Sequence, residues 1–175
     1  HFSKFLAADG KAASRSHQLE VDLRQECFSR IPETRALKEF WKETVRASCH
    51  IVTLFDAASD DNGEEQNKEL ASASNHLRRL PVILLEDILD ALATTAAYKF
   101  WKDILPSDVL FGEVMWNAEK RPCWLPLLKV ANKFLRRLQA DDQSAAASDV
   151  LLLLSGIYPL SEKFVTRQWG SHNAD

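Results

Sequence analysis

Few residues in this chain combine types and spacings that could do chemistry. Cys49-His50 places a thiol beside an imidazole, but helix neighbours point about 100° apart and cannot readily share one metal or act as a nucleophile–base pair unaided. Glu86, Asp87 and Asp90 gather three carboxylates, with Glu86 and Asp90 one turn apart. Such a pair could move protons or hold a metal if another helix supplied a Glu-x-x-His companion. No such companion occurs, so charge near a helix start or a salt bridge to a partner fits better. The histidines His1, His17, His50, His76 and His172 are scattered. There is no glycine-rich phosphate loop, no Gly-x-Ser-x-Gly elbow and no His-Glu-x-x-His pair. The expectation is a protein that is not an enzyme, with no catalytic, cofactor-binding or metal-binding residues and no cofactor.

Charge is more informative. Between Asp56 and Leu70 six acids stand against Lys68. Between Glu119 and Leu138 six bases (Lys120, Arg121, Lys129, Lys133, Arg136 and Arg137) stand against Glu119. Lys129, Lys133 and Arg136 fall at i, i+4 and i+7, on one side of a helix, with Arg137 beside them. A solvated helix face is the ordinary reason for such a stripe. The functional alternative is a docking surface for an acidic partner or a phosphate backbone. The five tryptophans mostly occupy core-type positions, with Trp169 in the polar tail as the candidate exposed anchor.

The elements that must carry these side chains read as helices. The chain has 175 residues, 46% hydrophobic and 27% charged, enough apolar material for a core and too much for a disordered chain. A net charge of −3 argues against a generic nucleic-acid binder. Glycine and proline are few, and Leu and Ala outweigh β-branched residues. Apolar residues recur every three or four positions from His17 to Ile31 and again after Pro32, from Leu37 to Phe55. Ser59-Asp60-Asp61-Asn62-Gly63 is a stop signal. A polar, acidic stretch then runs into Leu70–Leu80, and Pro81 is expected to restart the chain before a helix, Val82 to Leu92, that is apolar nearly all round. Ala97 to Ile104 forms or extends a helix up to Pro106, and Ser107-Asp108 caps Val109–Trp116. Trp124 to Leu138 is the clearest amphipathic helix. A turn over Asp141–Ser144 leads to a last helix, Ala145 to Tyr158, ended by Pro159. Short connections predict helices stacked on their sequence neighbours. The expected fold is all-α, a stacked multi-helix array of HEAT-like or irregular helical-repeat kind. Residues 1–16 are expected to be a loop or short helical lead-in, 17–163 one helical domain, and 164–175 a tail.

Phe40-Trp41-Lys42-Glu43 returns as Phe100-Trp101-Lys102-Asp103, and Asn75–Leu80 returns with one insertion as Asn132–Leu138, at nearly equal offsets. The echo fits a duplicated helical unit and fits chance recurrence of Leu/Arg/Lys helix patterns; no function is drawn from it. Three cysteines without a Cys-x-x-Cys pair favour a reducing compartment. No signal sequence or membrane span is read, and the His1 start suggests a soluble, intracellular chain cut from a longer one.

Three blocks carry a family resemblance. Leu84-Leu85-Glu86-Asp87-Ile88-Leu89-Asp90-Ala91-Leu92 resembles a Leu-x-Asp-Val-Leu-Asp block of the THO complex subunit 1 family. Leu127 through Leu138 resembles that family's Leu-Leu-Arg-x-x-Asn-x-Leu-Leu-Arg-Arg-Leu helix. Pro159-Leu160-Ser161-Glu162-Lys163 resembles its Phe-Pro-Leu-Ser-Glu-Lys/Arg signature. The blocks stand in the family's order; residues 1–79 match nothing in it. Ala146-Ala147-Ser148-Asp149 departs from the family's Phe-x-Gly-Arg, reversing a charge at Asp149, and Phe164–Arg167 departs from its Ser-x-x-Asn. The resemblance implies a nuclear helical scaffold, the N-terminal part of a longer protein, coupling transcription elongation to messenger RNA packaging and export. Its implied partners are the other THO subunits, above all the largest, and a DEAD-box RNA helicase, with any RNA or DNA contact weak or indirect and no membrane. Glu86, Asp90, Lys129, Lys133, Arg136, Arg137, Pro159, Ser161, Glu162 and Lys163 are then the candidate contact residues. Pro159–Lys163 also suits a plain cap on the last helix.

Overall fold

The computed structural model describes residues 1, 5, 12–58, 64–104 and 124–151. Among these, every regular element is an α-helix and none is a strand, in agreement with the all-α expectation. Helix α1 spans Ala12–Arg30, α2 Thr34–Ala58, α3 Glu64–Ala91, α4 Thr94–Ile104 and α5 Trp124–Ala140; residues 144–151 are also helical. Contacts divide the chain into two compact units, His1–Cys123 and Trp124–Asp175. The single domain expected over residues 17–163 therefore extends across both.

In the first unit, α1 buries Ala12, Ser16, Leu19, Leu23 and Cys27, one stripe at helical spacing. The helix starts a turn before the expected His17, because Ala12 and Ser16 continue that stripe. Ser16 is buried without penalty: its hydroxyl donates to the Ala13 carbonyl at 2.7 Å. Phe5, ahead of the helix, is buried, sits 6.0 Å from the Phe55 ring and accepts a hydrogen bond on its carbonyl from Arg15 at 3.1 Å. Helix α2 buries Leu37, Trp41, Val45, Ile51 and Val52. It ends at Ala58, just where the stop signal begins; residues 59–63 lie outside the described set.

The expected restart at Pro81 does not occur. Helix α3 is continuous for 28 residues with Pro81 inside it. An interior proline removes one helix hydrogen bond and costs roughly 3 kcal/mol. On either side, however, Leu77, Leu80, Leu84, Leu85 and Ile88 are fully buried, and each such side chain contributes about 1.5–3 kcal/mol. Burial of one unbroken face outweighs the local defect. A second helix braces the spot, since Trp41 Nε1 of α2 donates to the Pro81 carbonyl at 2.9 Å.

Stacking on sequence neighbours alone is also corrected. Both α1 and α2 pack chiefly on α3, and α1 touches α2 only lightly. Helix α4 folds back on α3 after a two-residue break, residues 92–93, and also meets α2, burying Ala97, Phe100, Trp101 and Ile104. Helix α3 is apolar on enough of its circumference to serve several neighbours, whereas α1 has one narrow stripe.

In the second unit, α5 buries Leu127, Val130, Ala131, Phe134, Leu135 and Leu138, the apolar side expected of it. It closes with a Schellman arrangement: the Gln143 N–H reaches the Leu138 carbonyl at 2.8 Å and the Asp142 N–H reaches Gln139 at 3.2 Å. This requires Asp142 to adopt φ 55°. The turn was legible as Asp141-Asp142-Gln143-Ser144. Beyond it, Ala146, Ala147 and Val150 are buried.

Candidate functional site

Helix α5 sorts its residues by side. Lys129, Lys133 and Arg136 are exposed and Arg137 is half-buried, while the apolar residues between them are covered. The basic stripe read from the spacing is thus a solvent-facing surface. Asp149, which replaces a family arginine in the resemblance, is half-buried on the following helical stretch.

Glu86, Asp87 and Asp90 lie on α3. Glu86 is half-buried and Asp90 exposed. Asp87, between them, is held from α1: Arg24 donates to both Asp87 oxygens, at 2.6 Å from Nε and 3.1 Å from Nη2. This two-pronged, charge-assisted contact ties α1 to α3. Arg24 also meets Glu20 Oε1 on its own helix at 3.1 Å. Pro159, Ser161, Glu162 and Lys163, with Ser107-Asp108 and Trp169, lie outside the described residues. Cys49 is half-buried and its neighbour His50 exposed, as helical geometry requires of adjacent residues. Cys27 is fully buried, and burial, with the Asp87 charge adding to it, pushes its thiol up to about 12.

One grouping was not apparent from the sequence. His17 and Glu20, at i and i+3 on α1, meet His76 of α3 across the helix interface. Their donor atoms all lie within 4.8 Å of one another. The two imidazole rings are 4.3 Å apart between centroids, tilted by 53°. His76 Nε2 approaches Glu20 Oε2 at 3.0 Å, and both side chains are only 16% exposed. Nε2 is nonetheless buried without a partner in hydrogen-bond geometry. Burial lowers the His76 pKa below its ordinary value; Glu20 opposes the shift, and His17 and Arg79 reinforce it. The i, i+3 pair of His17 and Glu20 was visible in the sequence. That His76 would join it depends on α1 packing against α3 rather than mainly against α2.

Among the described residues, no helix is long and apolar enough to cross a membrane. No family model matches the chain, and no curated protein or solved structure shows significant similarity to it.

Proposed function

We propose that the chain is a helical scaffold that acts by holding protein partners, in the manner of THO complex subunit 1. In that role it would work in the nucleus with the other THO subunits and a DEAD-box RNA helicase, coupling transcription elongation to packaging and export of messenger RNA. The observation that carries the reading is the two-sided character of α5. The block from Leu127 to Leu138, which resembles the family's helix, buries its apolar side and turns Lys129, Lys133 and Arg136 to solvent. A basic surface on a rigid helix suits an acidic protein partner, giving orientation and fast encounter more than raw affinity. Val21 and Phe28, seven residues apart on α1, add exposed apolar contact area.

The test is co-purification. Tagged full-length protein from nuclear extract is expected to bring down the largest THO subunit, and recovery of no THO component would overturn the family reading. Replacing Lys129, Lys133 and Arg136 together by Glu is expected to reduce that recovery. A second reading rests on the same stripe, direct contact with an RNA or DNA backbone. It requires binding that weakens steeply with salt and is lost in the triple-Glu variant; absence of binding at low salt removes it.

A further inference from the structure

We propose that His17, Glu20 and His76 form a binding site for a zinc-class divalent transition-metal ion that staples α1 to α3. The proposal stands independently of the scaffold reading. Two imidazoles and one carboxylate, with a fourth position left for water, are a ligand set that zinc accepts.

The geometry is close to that of a loaded site. Ligands at roughly 2.0–2.2 Å around a tetrahedral ion lie about 3.3–3.6 Å from one another. His76 Nε2 and Glu20 Oε2 already stand 3.0 Å apart. The widest donor separation is 4.8 Å, so closure needs a movement of at most roughly 1.5 Å. His17 is exposed on α1, with its ring beside that of His76.

The surroundings hold the ligands as a metal site requires. Arg24 takes Glu20 Oε1 at 3.1 Å and is itself locked onto both oxygens of Asp87. The carboxylate is thereby oriented with Oε2 towards His76, the outer support that ligating groups normally have. His76 offers a buried nitrogen with no hydrogen-bond partner, a costly arrangement for a polar atom that an ion would relieve. Among nearby charges Arg79 opposes a cation; it is exposed and its effect is screened by water.

The experiment uses the full chain stripped with a chelator. Zinc is titrated in competition with a chromophoric chelator, and cobalt(II) is bound in parallel for its visible spectrum. One ion per chain is expected. His17→Ala, a change at an exposed position that leaves the fold intact by circular dichroism, is expected to weaken zinc binding by about tenfold or more. Glu20→Gln, which keeps shape and removes charge, should do the same. Zinc should raise the thermal midpoint of the parent chain and leave that of His17→Ala nearly unmoved. Equal affinity in parent and His17→Ala would overturn the proposal. So would absence of binding, or a cobalt spectrum with thiolate charge-transfer bands, which would assign the ion to cysteine.

Discussion

Arg24 and Asp87 illustrate how one side-chain pair decides a helix partnership. The guanidinium spans from α1 to α3 with both prongs engaged, yet Arg24 remains partly exposed, so solvent screens much of the attraction. A double-mutant cycle of Arg24→Met and Asp87→Asn, read by urea denaturation, should give a coupling energy of about 1 kcal/mol, the upper end for partly exposed pairs. A coupling near zero would show that packing alone joins the helices. Cys27 sits against the same carboxylate. Its raised pKa means the folded state holds the thiol proton more firmly than the unfolded chain does. The associated stability is fully present below the unfolded value and is lost as pH rises from about 9 towards about 12. In a Cys49→Ser, Cys123→Ser background, Cys27 should resist a disulfide reagent at pH 8 in the native protein and react at once in denaturant. Rapid native labelling would contradict that burial.

Helix ends and helix braces bring their own predictions. Asp142 carries φ 55° at the close of α5, a left-handed geometry that costs a residue with a Cβ more than it costs glycine. It also places a negative charge at a helix C-terminus, where the dipole disfavours it. Asp142→Gly should therefore stabilise the chain by roughly 0.5–1 kcal/mol, seen as a higher denaturation midpoint; a lower midpoint would mean that the aspartate serves a contact of its own. The Trp41 bond to Pro81 runs the other way. Trp41→Phe keeps most of the buried ring and deletes the N–H that donates to the Pro81 carbonyl from the neighbouring helix. Losing this hydrogen bond, while the carbonyl keeps its place in the helix ladder, should cost about 0.5–1.5 kcal/mol, measured by thermal or urea unfolding.

On the scale of the whole molecule, the division after Cys123 gives the first unit a core of its own, built by α1, α2 and α4 around α3. A polypeptide of residues 1–123 should therefore unfold cooperatively and retain the helix content assigned to it. Gradual, non-cooperative melting would show that the core depends on residues 124–175. Zinc binding should survive in this shorter chain, since all three ligands lie within it. The basic stripe of α5 lies in the second unit, so removal of residues 124–175 separates the two proposals experimentally.

Much of this architecture was written in local pattern. The stripes Leu19–Leu23–Cys27 and Leu37–Trp41–Val45, the polar stop after Ala58, the exposed bases of α5 and the turn at Asp141-Asp142 follow from spacing and backbone preference, which a sequence displays directly. Pro81 misled because its cost is local and its compensation is not. The burial that carries α3 through the proline comes from α1 and α2, and no window around Pro81 contains it. The same reason hid His76. Its i, i+4 neighbours on α3 offer no ligand, and only the preference of α1 for α3 over α2 brings it to His17 and Glu20. Asp87 met Arg24 for that reason too. Helices, their faces and their ends were determined by the chain's own periodicity. Which face met which, and so which polar groups were brought together, was decided by competition for burial on α3, a long-range choice that only the tertiary structure records.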